Sequence, residues 1–281
     1  MKRLAILTAA AMTLLACNQA DVLYSPTKSV TFTLTGDFSI SQEPMTRALE
    51  ADGKAMTDVW VLDYVNGVLQ QHLHQSSDDA DFGTVNLPLT FGTHHLYFVT
   101  SRGRDAVINT TDATLTFGGV SDTFWKDHTI TVTSSTATSS TVTLDRIATR
   151  LRVTVTDAIP EGAATLNVTP RTWYYGFNYT TGEPCAAATS QPIYVTLPSS
   201  VIGTTGVVAN FFGFSASAQF TTDVAIDSKT SNGTVLGTAT VTSVPFTRNT
   251  TTSVIGTLYA PVHTHSITIN ANWEDPIDMT W

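Results

Sequence analysis

Apolar and polar residues alternate along much of this chain with a period of two. In Val30-Thr31-Phe32-Thr33-Leu34-Thr35 three apolar side chains point one way and three threonines the other, which predicts a strand with one buried face. Asp58-Val59-Trp60-Val61-Leu62-Asp63-Tyr64 is apolar at nearly every inner position, as a strand covered on both sides would be. Asn66-Gly67 then predicts a type I′ turn into a further strand at 68–73. Other strands are expected at 95–100, 115–117, 166–169, 173–179, 193–197, 207–214, 234–244, 252–259 and 266–271. Segments 129–133 and 140–144 flank a Ser/Thr/Ala loop and read as a hairpin. No stretch sustains a 3.6-residue period, although 45–56 has room for one short helix that Gly53 weakens. Short strands with regular turn signals predict an all-β chain of two tandem β-sandwich domains. Their boundary is placed near Leu144, where a fresh series of strands begins, giving domains at 29–143 and 144–281.

Composition agrees. Threonine is the commonest residue, with 51 copies, most of them beside Val, Ile, Leu or Phe, as in half-buried strands. Charged residues make up only 13%, which excludes a coiled coil, a charged disordered chain and an ordinary helical enzyme domain. The 281 residues include 42% apolar ones, enough to bury a sizeable core. With 14 Lys and Arg against 23 Asp and Glu the net charge is −9, so the positive field that nucleic acid binding needs is missing.

The N-terminus adds a location. Lys2 and Arg3 precede an uncharged run at 4–16 that ends Leu14-Leu15-Ala16-Cys17. As a helix that run would rise only about 20 Å, short of the roughly 30 Å hydrocarbon core, so it reads as a signal peptide (residues 1–16). Its end resembles the lipobox of bacterial lipoproteins, in which the thiol of Cys17 takes a diacylglycerol and the new N-terminus is acylated, typically with palmitate. Several acyl chains at about 0.8 kcal/mol per buried CH₂ anchor a protein that one chain would hold only marginally. Residues 17–28 then form a lipidated tether. Cys185 is the only other cysteine, so a lipidated Cys17 leaves it without an intramolecular partner.

Patterns for catalysis are scarce: there is no G-x-S-x-G, P-loop, H-E-x-x-H or C-x-x-C. His72 and His74, like His263 and His265, stand two apart and would share a strand face, but no cysteine or clear carboxylate joins either pair into a metal site. His94 and His95 would point oppositely. Asp78, Asp79 and Asp81 read as a solvated turn. Trp173, Tyr174, Tyr175, Phe177 and Tyr179 offer a possible sugar-stacking surface, against a simpler reading as one core face with a few rim residues. No enzyme activity, metal or cofactor is expected.

Several segments in order resemble the fimbrillin family, the subunits of Bacteroidetes-type (type V) pili. These are the lipobox, the alternating strand at 30–35, Thr46-Arg47-Ala48 in a Pro-containing polar loop, and Asp58-Val59-Trp60-Val61-Leu62-Asp63-Tyr64. The junction Leu144-Asp145-Arg146-Ile147-Ala148-Thr149-Arg150-Leu151-Arg152-Val153 resembles the start of that family's second domain. So do Gly256-Thr257-Leu258-Tyr259 and the terminal Ile267-Thr268-Ile269-Asn270-Ala271-Asn272-Trp273. The resemblance runs over nearly the whole chain. It implies two β-sandwich domains of transthyretin-like, Greek-key type, export as a lipoprotein to the outer membrane, and a place in a surface fimbrium used for adhesion.

The resemblance also implies assembly by donor-strand exchange. Cleavage between Arg47 and Ala48 would release the first strand, with Val30, Phe32 and Leu34 leaving their sheet. A neighbouring subunit's C-terminal strand, carrying Ile267, Ile269 and Trp273, would fill the groove. Such a contact is head-to-tail and does not close, so it builds a filament. The partners are then other pilus subunits, the membrane through Cys17 before processing, and an unidentified adhesion target. A shaft subunit is the first reading and a lipid-retained anchor or a tip subunit the second. The competing readings are a carbohydrate-binding surface lipoprotein and a secreted β-sandwich hydrolase.

Overall fold

A computed structural model describes residues 26–37, 39–40, 55–216, 218–261 and 264–270. Its strands, in chain order, are β1 (Thr27–Thr35), β2 (Ser39–Ile40), β3 (Ala55–Met56), β4 (Asp58–Val65), β5 (Val68–Ser76), β6 (Thr84–Thr90), β7 (Gly92–Ser101), β8 (Val107–Asn109), β9 (Thr114–Thr116), β10 (Thr123–Val132) and β11 (Ser139–Thr143). There follow β12 (Asp145–Arg146), β13 (Ala148–Val155), β14 (Ala163–Pro170), β15 (Trp173–Asn178), β16 (Pro184–Ala188), β17 (Ile193–Thr196), β18 (Val207–Phe214), β19 (Phe220–Thr230), β20 (Val235–Phe246), β21 (Thr251–Gly256) and β22 (His265–Asn270). Helix among the described residues is limited to one 3₁₀ turn, Ser199–Val201.

The chain is all β, arranged as sandwiches. A three-stranded sheet, β11-β1-β6, faces a five-stranded sheet, β12-β10-β7-β4-β5. Between them Val30, Phe32, Leu34, Val85 and Leu87 meet Val59, Val61, Leu96 and Phe98. Two four-stranded sheets, β18-β13-β21-β22 and β17-β14-β19-β20, enclose a second core around Leu151, Val153, Phe211, Val168, Val224 and Val241. Each inner face is supplied by every second residue, so strand alternation alone builds both cores.

β4 is buried on both faces, as its continuous apolar sequence requires. Val59 and Val61 enter the first core, while Trp60 and Leu62 turn outward into a third cluster with Leu115, Phe177, Tyr179 and Phe214. That cluster lies under a small sheet, β16-β15-β9-β8. The small sheet pairs 107–116 with 173–188, and so straddles Leu144 in sequence. Asn66 and Gly67 join β4 to β5 with φ of 51° and 77°, the type I′ geometry their sequence predicts.

Four local expectations need correction. Segments 129–133 and 140–144 do not form a hairpin. β12 pairs with β10 only at Phe124 and Trp125, and the chain crosses from Val132 to the facing sheet, where β11 runs parallel to β1 and Val142 joins the first core. The end of the expected short helix, Ala55–Met56, is a strand paired with Ser39–Ile40, while 45–54 lie outside the described residues. The strand expected at 252–259 stops at Gly256, and the first strand begins earlier than 30, at Thr27.

Candidate strand-exchange site

β1 is the middle strand of its sheet. β6 pairs with it antiparallel from Thr27↔Thr90 to Thr33↔Thr84, and β11 pairs parallel from Thr31↔Ser139 to Thr35↔Thr143. Its three inward side chains, Val30, Phe32 and Leu34, are buried, and the Phe32 ring lies 5.3 Å from that of Phe98. At about 1.5–3 kcal/mol for each buried apolar side chain, these three dominate the hold of the sandwich on this strand. Withdrawing β1 would leave a slot with a hydrogen-bonding strand edge on each side and three apolar pockets on its floor.

Both ends of β1 are fastened by polar groups. Near its start, Lys28 Nζ donates to the carbonyl oxygens of Ser134 and Thr136 in the loop before β11. Beyond its end, Arg146 Nη1 donates to Asp37 Oδ2 at 2.9 Å and Nη2 to the Asp37 carbonyl at 3.1 Å. Arg146 is itself buried. Its Nε and Nη2 grip the Asp122 carboxylate at 2.8–3.1 Å, and its guanidinium sits 4.5 Å from the centre of the Phe124 ring. His128, on the inner face of β10, lies 5.9 Å from the Phe32 ring. Burial holds the pKa of His128 below its ordinary value, although Asp127 pulls the other way and Lys126 reinforces the drop.

The other predicted participant, β22, is an edge strand. It pairs antiparallel with β21, with Ile267 opposite Val254 and Ile269 opposite Thr252. Ile267 rests on the second core, but no residue of β22 is fully buried and Ile269 is 43% exposed. The turn leading toward β22 is clamped by Asp157, whose carboxylate accepts the backbone N–H groups of Leu258, Tyr259 and Ala260 at 2.7–2.9 Å. Burial works to raise the pKa of Asp157, and the three N–H groups together more than reverse it, so it lies below the usual carboxylate value. Cys17, Arg47, Ala48 and Trp273 lie outside the described residues, as does His263.

The remaining candidates have structural roles. His94 is buried, with Nδ1 2.7 Å from Asp63 Oδ1 and Nε2 2.9 Å from the Thr90 carbonyl. His72 and His74 are exposed on one face of β5, and His74 stacks on Trp60 while meeting Asp58 at 2.7 Å. Among the described residues no group of three His, Cys, Asp or Glu side chains is placed to hold a metal ion. Trp173, Phe177 and Tyr179 are buried and Tyr174 and Tyr175 partly so, which removes them as an open sugar platform. Cys185 is half-buried on β16 and burial pushes its thiol pKa up. Among the described residues no helix is long and apolar enough to cross a membrane.

Sequence reasoning found the strands but not the groups that fasten them. Arg146, Asp37 and Asp157 stand at strand ends, and their partners are 24 to 109 residues away in the chain. The one local signal is an arginine at the head of an otherwise apolar strand run, Arg146-Ile147-Ala148.

Comparison with solved structures finds the same fold. A candidate adhesin from Bacteroides ovatus ATCC 8483 aligns with a TM-score of 0.51 at 13% identity, over 85% of this chain and 88% of that one. A candidate cell adhesion protein from Bacteroides uniformis ATCC 8492 aligns with a TM-score of 0.51 at 10% identity, over 87% of this chain and 97% of that one. A candidate polysaccharide binding protein from Bacteroides thetaiotaomicron VPI-5482 aligns with a TM-score of 0.51 at 8% identity, over 87% and 96%. At such identities the likeness concerns the fold, and the fold agrees with the fimbrillin resemblance. No curated protein matches the sequence. A family model does match it over residues 59–281, and the chain belongs to that family, a family of unknown function designated DUF6562.

Proposed function

We propose that this protein is a non-enzymatic structural subunit of a cell-surface pilus that assembles by donor-strand exchange and serves adhesion. The observation that carries the reading is the position of β1, paired on both sides and buried on one face. Arg47 follows it in the sequence, and cutting there severs the covalent tie between β1 and the rest of the sandwich. The slot then lacks a strand, and two unpaired edges with an apolar floor in water are costly enough to demand a replacement.

The replacement is the C-terminal segment of a sister chain. Ile267, Ile269 and Trp273 are spaced by two and by four, so on one strand all three face the same way. Two isoleucines occupy pockets made for Val30, Phe32 and Leu34, and the backbone completes the ladders to β6 and β11. Leaving home is inexpensive for β22, because it is an edge strand without a fully buried residue. Export as a lipoprotein through Cys17 delivers the chain to the outer membrane before cleavage. The presence of Arg47 after the first strand favours a shaft subunit, and a chain that kept its first strand and its lipid would be an anchor. The adhesin-like names of structures with this fold support a surface role. The two domains, divided near Leu144, separate the labour: the first accepts a strand and the second donates one.

Trace trypsin tests the reading. The mature chain should be cut after Arg47 and then form high-molecular-weight ladders on unboiled denaturing gels. Fully cut protein that stays monomeric contradicts it. Removing residues 266–281 should abolish the ladders and leave a folded acceptor.

A further inference from the structure

A second surface feature lies away from the strand-exchange slot. On the outer side of the five-stranded sheet, where β4 and β7 meet the small sheet, a cleft of about 410 Å³ opens to solvent. That is the size of a small-ligand site. Tyr64 and Tyr97 form its floor, and His95, Thr110, Thr111 and Thr180 stand around its rim.

The cleft is built in advance. On the floor, the Tyr64 and Tyr179 hydroxyls lie 2.7 Å apart, and the Tyr64 ring packs edge-on against Tyr97 at 5.7 Å. Burial first, then Asp127 and Tyr64, raise the pKa of the Tyr97 phenol, so it remains a neutral hydroxyl. One side of the rim is the Asn66-Gly67 turn, fixed by its positive φ angles. The other is the turn between β8 and β9. There Asn109 Oδ1 accepts the N–H groups of Thr111 at 2.9 Å and Asp112 at 3.2 Å, and Ala113 is held at φ 54°, a strained angle for a residue with a side chain. Asn178 ties this turn to the next, donating to the Asp112 carbonyl at 3.2 Å while its Oδ1 accepts from Thr180 N–H at 2.9 Å. Such locking removes the ordering cost that weakens binding at mobile loops.

The chemistry of the lining selects a ligand class. Its side chains include no Asp, Glu, Lys or Arg. They combine aromatic surface with four hydroxyl or imidazole groups at the rim, and the Nδ1 of His95 meets Thr129 Oγ1 at 3.2 Å. A sugar ring matches this: its C–H face rests on an aromatic floor and its hydroxyls exchange hydrogen bonds with the rim. A net charge of −9 on the chain disfavours acidic glycans. We propose that this cleft, defined by Tyr64, Tyr97, His95 and the threonine rim, binds a neutral glycan. It does not depend on strand exchange, so either proposal can fail alone.

Native affinity electrophoresis through xylan, galactomannan, laminarin and polygalacturonate tests it on the intact mature chain. At least one neutral polysaccharide should retard the protein and polygalacturonate should not. In a His95→Ala/Thr111→Ala variant, both side chains being exposed, the circular dichroism should be unchanged and the retarding affinity should fall about tenfold or more, as the loss of two rim hydrogen bonds implies. Passage through all three neutral gels unretarded, equal retardation of the variant, or retardation by polygalacturonate alone overturns the proposal.

Discussion

Arg146 Nη1 lies 2.9 Å from Asp37 Oδ2, so a residue just past the end of β1 is held by a buried guanidinium on β12, in the facing sheet of the same sandwich. The two carboxylates on Arg146 are not equivalent. Asp122 is buried with it, whereas Asp37 is 59% exposed. Replacing Arg146 by Ala strands Asp122 without its counter-charge and should cost about 3–5 kcal/mol. Asp37→Ala should cost no more than about 1 kcal/mol, because water already screens that arm. Urea unfolding of the two variants should separate them clearly. Equal losses would mean that Asp37, not Asp122, is the principal partner.

Phe32 is the largest of the side chains that β1 carries inward, packed on Phe98 and His128. Phe32→Ala should destabilise the uncut chain by about 3–5 kcal/mol. Its effect should vanish in the assembled polymer, from which β1 has gone. Thermal unfolding before and after trypsin-induced assembly makes the comparison. A polymer weakened as much as the monomer would mean that β1 never left.

The hold on β1 should depend on pH through His128. Its folded pKa lies below the ordinary 6.5, so the unfolded chain binds a proton more readily. Stability is therefore complete above that ordinary value and is lost as pH falls through it toward the lowered folded value. Protonation places charge beside Phe32 and Phe98. Release of the nicked strand should accelerate between pH 7.5 and 5.5, followed by size-exclusion chromatography. A His128→Leu variant should flatten the profile. A profile unchanged by that substitution would assign the dependence to other groups.

In the proposed exchange, Asp157 holds the donor end. Asp157→Ala removes the acceptor of three backbone N–H groups in the turn that leads toward β22 and should cost about 1–3 kcal/mol. Amide exchange at 265–270 should quicken more than exchange in β13 or β19. Uniform quickening would show a general loss of stability instead of a loosened edge.

The strands that alternate cleanly were legible in the sequence. Val30-Thr31-Phe32-Thr33-Leu34-Thr35 declares its face, and 207–214 coincides with β18. β19 was missed although it is central to its sheet, because Thr222 and Ser228 share its inward positions with Val224 and Ile226 and blur the pattern. Pairing was harder than strand location. Nothing local says that 139–143 crosses to β1, a choice that places Val142 beside Leu34 in the first core. The aromatic run from Trp173 was legible as core but not as one face, since Trp173 enters the second core and Phe177 and Tyr179 the third cluster. The cleft on Tyr64 and Tyr97 was not legible at all. Its walls come from four separated segments that meet only in the folded chain.

Displacement by a synthetic peptide tests the replaceability of β1 most directly. Protein cut after Arg47 and truncated before residue 266 would be incubated with a peptide of residues 265–281 and weighed by native mass spectrometry. The expected species is the acceptor body carrying the peptide, with the fragment containing Thr27–Thr35 released. A body that keeps that fragment and ignores the peptide contradicts donor-strand exchange in this protein.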